Sequence, residues 1–264
     1  MTETAQGAAA SRDAILAALA LPPGALLALR VPKKLLAEQG APTAADKRAI
    51  LGGIDELHWL ATLKPTTTAV PVATAPGQDF AEIAVIAAQL RPKARVARLT
   101  ELIHRAIPYP VLLLTQGGHA DTVSVLSMAP KRPALNEGGK LVVERVVATS
   151  PFDPLLPSPI ERAFLASLAL ALLPARDLST VYVGWLARIE ALQAALLSGR
   201  YMVRDDRGAI EERRAVLGTH AGLAREITVL RARAKHERQL NRLVDLNMQI
   251  QSLEARLARH TKIL

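Results

Sequence analysis

The residues predict an α+β protein. A mixed β-sheet domain with flanking helices fills the N-terminal half, and a helical C-terminal region with a long coiled-coil helix follows. Three observations point there. Runs with strand alternation or continuous apolar character are confined to the chain before residue 149. Pro151, Pro154, Pro157 and Pro159 then interrupt it. Beyond them Leu243, Leu246, Ile250, Leu253 and Leu257 recur at spacings of three and four, the stripe of a helix that packs on another helix. The implied organisation is a helix and lead-in over 1–27, a core domain over 28–149, a proline-rich linker over 150–159 and a helical region over 160–264.

Element by element, Ser11 is placed to cap a short helix that runs to Leu21, where Pro22-Pro23-Gly24 stops it. Ala28 to Val31 reads as extended and leads into Pro32-Lys33-Lys34. Thr43 can cap a helix running to about Gly52. Glu56 to Leu63 alternates as a strand, and Pro65 with three threonines opens a loop. Further strands are expected at Ala69–Thr74 and Ala81–Leu90, the second apolar enough to be buried on both faces. A helix over Ala94–Ala106 aligns Val96, Leu99, Leu102 and Ile103. Pro110 opens a strand over 111–116, Gly117-Gly118 turns it, and Thr122–Met128 returns beside it. Leu141–Ala148 completes a mixed sheet of five or six strands. Helices follow at Ile160–Leu173 and Ser179–Ser198.

No Gly or Pro interrupts the chain after Gly222, so one rod of about 60 Å is expected there at 1.5 Å per residue. Val216, Leu223, Ile227, Leu230 and Ala234 form an upstream stripe, and Leu243 to Leu257 a downstream one. The step from Leu230 to Leu243 is one residue short of two heptads. A continuous helix with a local phase insertion is the favoured reading; the alternative is a bend in the polar stretch Lys235–Asn241. Asn247 flanks the seam and His260 sits on it, positions at which polar residues fix register. The apolar seam demands a covering helix, so Leu243, Leu246, Ile250, Leu253 and Leu257 are the candidate partner-binding residues, with self-association through this helix as one outcome.

Composition narrows the chemistry. The 264 residues are 50% hydrophobic but only 3% aromatic, so the core must be aliphatic and a base-stacking platform is disfavoured. There is no cysteine, which excludes disulfides, a thiolate nucleophile and Cys-ligated metals. Acidic and basic residues break up the first apolar residues, as in a chain without a signal peptide, and no apolar run is long enough to span a bilayer; a cytoplasmic, membrane-free protein is expected. Net charge is +9, and residues 200–264 hold 14 Lys/Arg against 8 Asp/Glu. A basic rod can follow a phosphate backbone; such charge also simply solvates a helix.

No catalytic motif stands out, and no cofactor is expected. No phosphate-binding loop occurs; Gly138-Gly139-Lys140 lacks the following Ser or Thr. His58, His104 and His119 lie on separate elements. A restriction-type nuclease needs an acid on one strand and an acid-x-Lys on the next; Glu56, Lys64 and Glu82 do not supply that spacing. Two basic clusters remain. Lys33 and Lys34 follow Pro32, while His104-Arg105 and Lys131-Arg132 flank Ile107-Pro108-Tyr109-Pro110. A recognition surface would gather Lys33, Lys34, Trp59, Lys64, His104, Lys131 and Arg132 at one sheet end. Together with Arg231, Arg233, Lys235 and Arg238 on the rod, Lys33, Lys34, Lys131 and Arg132 are the candidate nucleic-acid contacts.

The segments Val31-Pro32-Lys33-Lys34, Ile54 to Trp59 through Lys64-Pro65-Thr66, and Ile103 through Pro108-Tyr109-Pro110 to Leu114 resemble a bacterial family, domain of unknown function 4391. The likeness covers roughly Ala28 to Ala148, the helical tail belonging to some members only. Here Lys64 is displaced from the family's usual place beside the tryptophan. The resemblance implies an accessory or scaffold subunit of a bacterial DNA-defence complex, encoded beside helicases and DNA methyltransferases in restriction and phage-defence islands. These are the implied partners, and no catalytic residue is implied. The alternative is a cryptic metal-dependent nuclease or nucleotide-processing enzyme that uses Glu56, Glu82 or His104.

Overall fold

A computed structural model describes residues 3–75, 78–118, 122–134 and 141–264. His119 and Gly138-Gly139-Lys140, weighed above as a metal ligand and a phosphate cradle, lie outside them. The chain forms two compact units, Met1–Ile189 and Glu190–Leu264.

In the first unit, β1 (Leu26–Arg30), β2 (Ile54–Leu63), β5 (Ile83–Leu90), β6 (Val111–Gly117), β7 (Ser124–Met128) and β10 (Val147–Ala148) form one six-stranded sheet in that spatial order. All neighbours are antiparallel except β5 and β6, which run parallel and are joined by α5 (Val96–Ala106). This is the mixed sheet that the alternation of Glu56–Leu63 and the apolar strand expected at 81–90 predict, the latter starting two residues later than expected. Helices α2 (Lys33–Gly40), α3 (Ala44–Gly53) and α5 cover one face, burying Leu36, Ile50, Leu99 and Ile103 against Leu57, Ile86 and Leu113. The other face receives α1 (Glu3–Leu19), whose Ala8 carbonyl accepts from the Gln116 amide at 2.9 Å. Thr43 caps α3 as expected, its hydroxyl accepting from the Asp46 amide. Gly117 and Gly118 take φ of +82° and +83°, values open to glycine, and a Cβ on Gly117 would lie 2.4 Å from the Leu90 carbonyl oxygen.

Several elements differ from expectation. Ser11 does not cap a helix: α1 begins eight residues earlier, and Ser11 is buried within it, its hydroxyl donating to the Thr122 carbonyl at 3.1 Å. The threonines after Pro65 form a short helix, α4 (Pro65–Thr68). Strand structure in 69–74 is limited to β3 (Ala73–Ala75), paired with β4 (Gln78–Phe80). The single strand expected at 141–148 is two. β9 (Leu141–Val143) pairs with β8 (Lys131–Pro133) in a separate ribbon, and only β10 joins the main sheet. The proline-rich stretch is tied to the sheet, since Phe152 is buried and bridges Ser124. The helix expected at 160–173 ends early, as α6 (Pro159–Ser167), and α7 (Leu178–Ser198) follows.

The second unit corrects the continuous rod. α8 (Arg207–His236) stops at an extended Glu237, and α9 (Leu240–Thr261) folds back along it. The Glu237 carboxylate accepts from the amides of Arg238 and Gln239 at 2.8 and 2.9 Å, which holds the reversal without glycine or proline. The reason lies in the stripes. Folding at the polar stretch lets Leu223, Ile227 and Leu230 bury Ile250 and Leu253, whereas a straight rod leaves both rows in water. Among the described residues, no helix is long and apolar enough to cross a membrane.

Candidate functional site

In the first unit, the chemistry-bearing residues collect where α5 meets β6. Ile107 leaves the helix in extended conformation, and the Pro110 carbonyl accepts from the Ala84 amide at 2.9 Å, which seats the junction on β5. Between the prolines, Tyr109 is 41% exposed and meets Trp59 of β2 edge-on, ring centres 6.1 Å apart. The Trp59 indole N–H donates to the Thr62 hydroxyl at 2.7 Å and the Ala61 carbonyl at 3.0 Å. Lys131 crosses from β8 and donates its ammonium to the carbonyls of Ile107 and Tyr109. Both carbonyls lie just past the C-terminal end of α5, where a cation is favoured.

That role removes Lys131 from the expected basic surface. The side chain is buried, and burial pushes its pKa down to about 8. His104 is buried likewise, 3.0 Å from the Ser127 hydroxyl, and burial, with Lys131 nearby, pushes it down to about 3. A hydroxyl beside an imidazole suggests nucleophile and base. Both residues are at most 1% exposed, so no substrate reaches them. Lys33 donates to the Ile54 carbonyl at 3.0 Å, and Lys64 pairs with Glu82 at 3.2 Å. Lys34 and Arg132 stay exposed. An open cavity of about 690 Å³ adjoins the junction, lined among others by Gln39, Glu101, Arg105, Lys131 and Val143. Its charged rim is self-paired: Glu101 meets Arg98 at 2.8 Å and Arg105 at 3.5 Å, and Arg98 also grips Asp46. The Thr43 hydroxyl, then Arg98, holds the Asp46 carboxyl below its ordinary range.

The residues that a nuclease would use are dispersed. Glu56 lies opposite Gln89 and pairs with Arg30 at 3.2 Å. Glu82 precedes Ile83 at the far end of β5, roughly 20 Å away at 3.3 Å per residue. Among the described residues, no three His, Asp or Glu side chains gather as a metal cluster.

The burial of His104 has a measurable consequence. Its folded pKa lies below its ordinary 6.5, so the unfolded chain takes up a proton that the folded chain refuses. This contribution to stability is complete above pH 6.5 and is lost as pH falls toward 3. Urea unfolding across a pH series should show a slope of about 1.4 kcal/mol per pH unit from this group. His104→Gln, which keeps an amide for Ser127, should flatten it; an unchanged slope would place a solvated imidazole at this position.

In the second unit, the hairpin positions the predicted partner residues. Ile250 and Leu253 are buried against α8, and Leu246 and Leu257 pack at their margin. The row expected to need a covering helix, from this chain or another, is covered by α8 at these four residues, and Leu243 is half-buried. A second row on α9 faces outward. Leu240, Val244 and Met248 are 73, 49 and 64% exposed. Their spacing of four was legible in the sequence, but the stronger leucine row masks it. A shallow groove of about 800 Å³, lined by Val229, Ala232, His236, Arg242, Leu246 and Gln249, lies along the hairpin. Arg231 is spent on Glu254 at 2.6 Å, while Arg233, Lys235 and Arg238 are exposed around the turn.

No curated protein and no solved structure matches the chain. A family model does, over residues 19–257, well beyond the 28–148 that carry the resemblance in the sequence and through nearly all of α9. The matched span takes in the segment that forms the helical hairpin, and the chain belongs to the family described as a domain of unknown function, DUF4391.

Proposed function

We propose that this chain is a non-catalytic accessory subunit that works by holding another protein through its helical hairpin. The first candidates are the DNA helicase or methyltransferase subunits of a bacterial DNA-defence complex that the family resemblance implies. One observation carries the reading: α9 has one apolar row buried on α8 and a second, Leu240, Val244 and Met248, open to solvent. Apolar residues on both sides of a surface helix mark a helix meant for two neighbours. The groove that Leu246 lines is a separate surface on the other flank of α9, and Arg233 at its rim, with Lys235 and Arg238 around the turn, supplies cations that can meet a phosphate backbone. The buried, internally bonded states of His104, Ser127 and Lys131 agree with a role other than turnover.

The test is co-purification with the neighbouring helicase or methyltransferase. The double substitution Val244→Asp and Met248→Asp should abolish capture while far-UV circular dichroism stays unchanged, because both positions are exposed. Undiminished capture would overturn the reading. For DNA binding, Arg233→Ala with Lys235→Ala should reduce the salt slope by roughly one for each phosphate that these side chains neutralise.

A further inference from the structure

The stretch between α7 and α8 gathers positive charge around a cavity in the second unit. Five arginines fall between residues 200 and 214. Two of them are spent on acids: Arg207 meets Glu211 at 2.8 Å, and Arg214 meets the buried Glu190 at 3.0 Å. The other three, Arg200, Arg204 and Arg213, line a cavity of about 220 Å³ with a single acid, Glu212. Among the described residues, Arg200 and Arg204 carry no ion pair. The wall therefore holds three positive charges against one negative.

Separate pieces of chain build this wall. The end of α7 contributes Ala191 and Ala194, α8 contributes Val216 with Glu212 and Arg213, and Ile263 and Leu264 follow α9. Arg213 is half-buried and donates to the Met202 carbonyl at 2.9 Å, which fixes it. Burial, then Arg204, pushes its pKa down, while Glu190, Tyr201 and Asp205 act the other way. Of these, Glu190 is already gripped by Arg214. Charges that merely solvate a helix spread over convex surface. Here like charges share one concave wall, where low-dielectric surroundings focus their field and concentrate anions.

We infer that this cavity binds the phosphate group of a small molecule, with Arg200 and Arg204 donating to its oxygens and Arg213 supplying a third, fixed charge. Guanidinium forks match phosphate oxygens in pairs. Three cations against one acid leave two charges to neutralise, which a dianionic phosphate does and a carboxylate does not. The volume lies below the roughly 300 Å³ at which pockets for drug-sized ligands begin, so the site takes a phosphate with little attached rather than a whole nucleotide. Because the wall draws on α7, α8 and the residues after α9, a ligand that fits only the folded cavity also stabilises the hairpin.

Inorganic phosphate and pyrophosphate, titrated against the full chain at constant ionic strength, should show saturable broadening of their phosphorus resonances. Arg200→Gln and Arg204→Gln should each weaken binding at least about tenfold, the worth of a hydrogen bond to a charged group. Glu212→Gln removes the repelling charge and should tighten binding by up to about fivefold. Arg207→Gln should leave it unchanged, since that arginine lies outside the cavity. All four positions are exposed, so circular dichroism should not move. Broadening that never saturates would overturn the inference, as would full affinity in the Arg200 and Arg204 variants. Equal weakening by Arg207→Gln would also overturn it, because it reports diffuse attraction to a basic surface. So would binding that appears only after Ile263 and Leu264 are removed, because those residues then fill the cavity themselves. The inference does not rest on the hairpin reading: partner capture should survive Arg200→Gln and Arg204→Gln, and phosphate binding should survive Val244→Asp with Met248→Asp.

Discussion

Replacing Ile250 with aspartate is expected to detach α9 from α8. Ile250 and Leu253 are 8 and 7% exposed and close on Leu223, Ile227 and Leu230, the whole buried core of the hairpin. Truncating such an aliphatic side chain to alanine costs about 2–5 kcal/mol. Aspartate adds a carboxylate with no partner among those side chains, a further penalty unless it protonates. A cluster this small cannot absorb that loss. Helicity should fall, and trypsin should cut faster at Arg242, Arg256 and Arg259. The near-ultraviolet signals of Trp59 and Trp185, both in the first unit, should persist. Aspartate at Val244 or Met248 should shift stability by no more than about 0.5 kcal/mol, because both are exposed. Loss of partner capture in an Ile250 variant would therefore report unfolding, and only the outward row reports docking. If Ile250→Asp melts like the wild type, α9 does not pack on α8.

What was legible in the sequence follows from which interactions are local. Strands β2, β5 and β6 show in their apolar spacing, because burial on a sheet repeats every two residues or runs continuously when both faces are covered. The Thr43 cap shows because it acts over three residues. The misreadings involve partners far along the chain. Ser11 has cap chemistry, yet its hydroxyl is satisfied 111 residues away, and the alanine-rich stretch before it continues the helix. Lys131 reads as a surface cation until the carbonyls at the end of α5 come within reach of its long side chain. The break at Glu237–Gln239 had a local signal, the polar stretch and the missing residue in the heptad phase. The fold follows that signal because two apolar rows on one chain cover each other. The outward row of α9 was visible as residues but not as an exposed surface, since exposure depends on what the rest of the fold leaves uncovered.

Arg188 has no local signal in the sequence for its buried role, and its removal is the second large effect expected. It sits on α7 and is 2% exposed. Its guanidinium donates to the carbonyls of Ser167 at 2.8 Å, Gly184 at 3.0 Å and Leu172 at 2.7 Å. One side chain thus holds the C-terminal end of α6, the short turn after it and α7 together, with its charge where the α6 dipole is negative. A buried ion pair can often be exchanged for hydrocarbon at little cost, because both partners are removed. These three partners of Arg188 are backbone carbonyls, which no substitution removes. Arg188→Met fills similar space but leaves those acceptors without these donors, at about 1–3 kcal/mol each. A net loss of roughly 3–5 kcal/mol is expected, as for breaking a buried pair from one side. Arg188→Lys should recover only part of it, since one ammonium cannot span three carbonyls as a planar fork does. Urea unfolding followed through Trp185, whose indole donates to the Leu168 carbonyl at 2.9 Å in the same cluster, is the direct measurement. A methionine variant as stable as the wild type would mean that these carbonyls find other donors and that α6 is held to α7 by apolar packing alone.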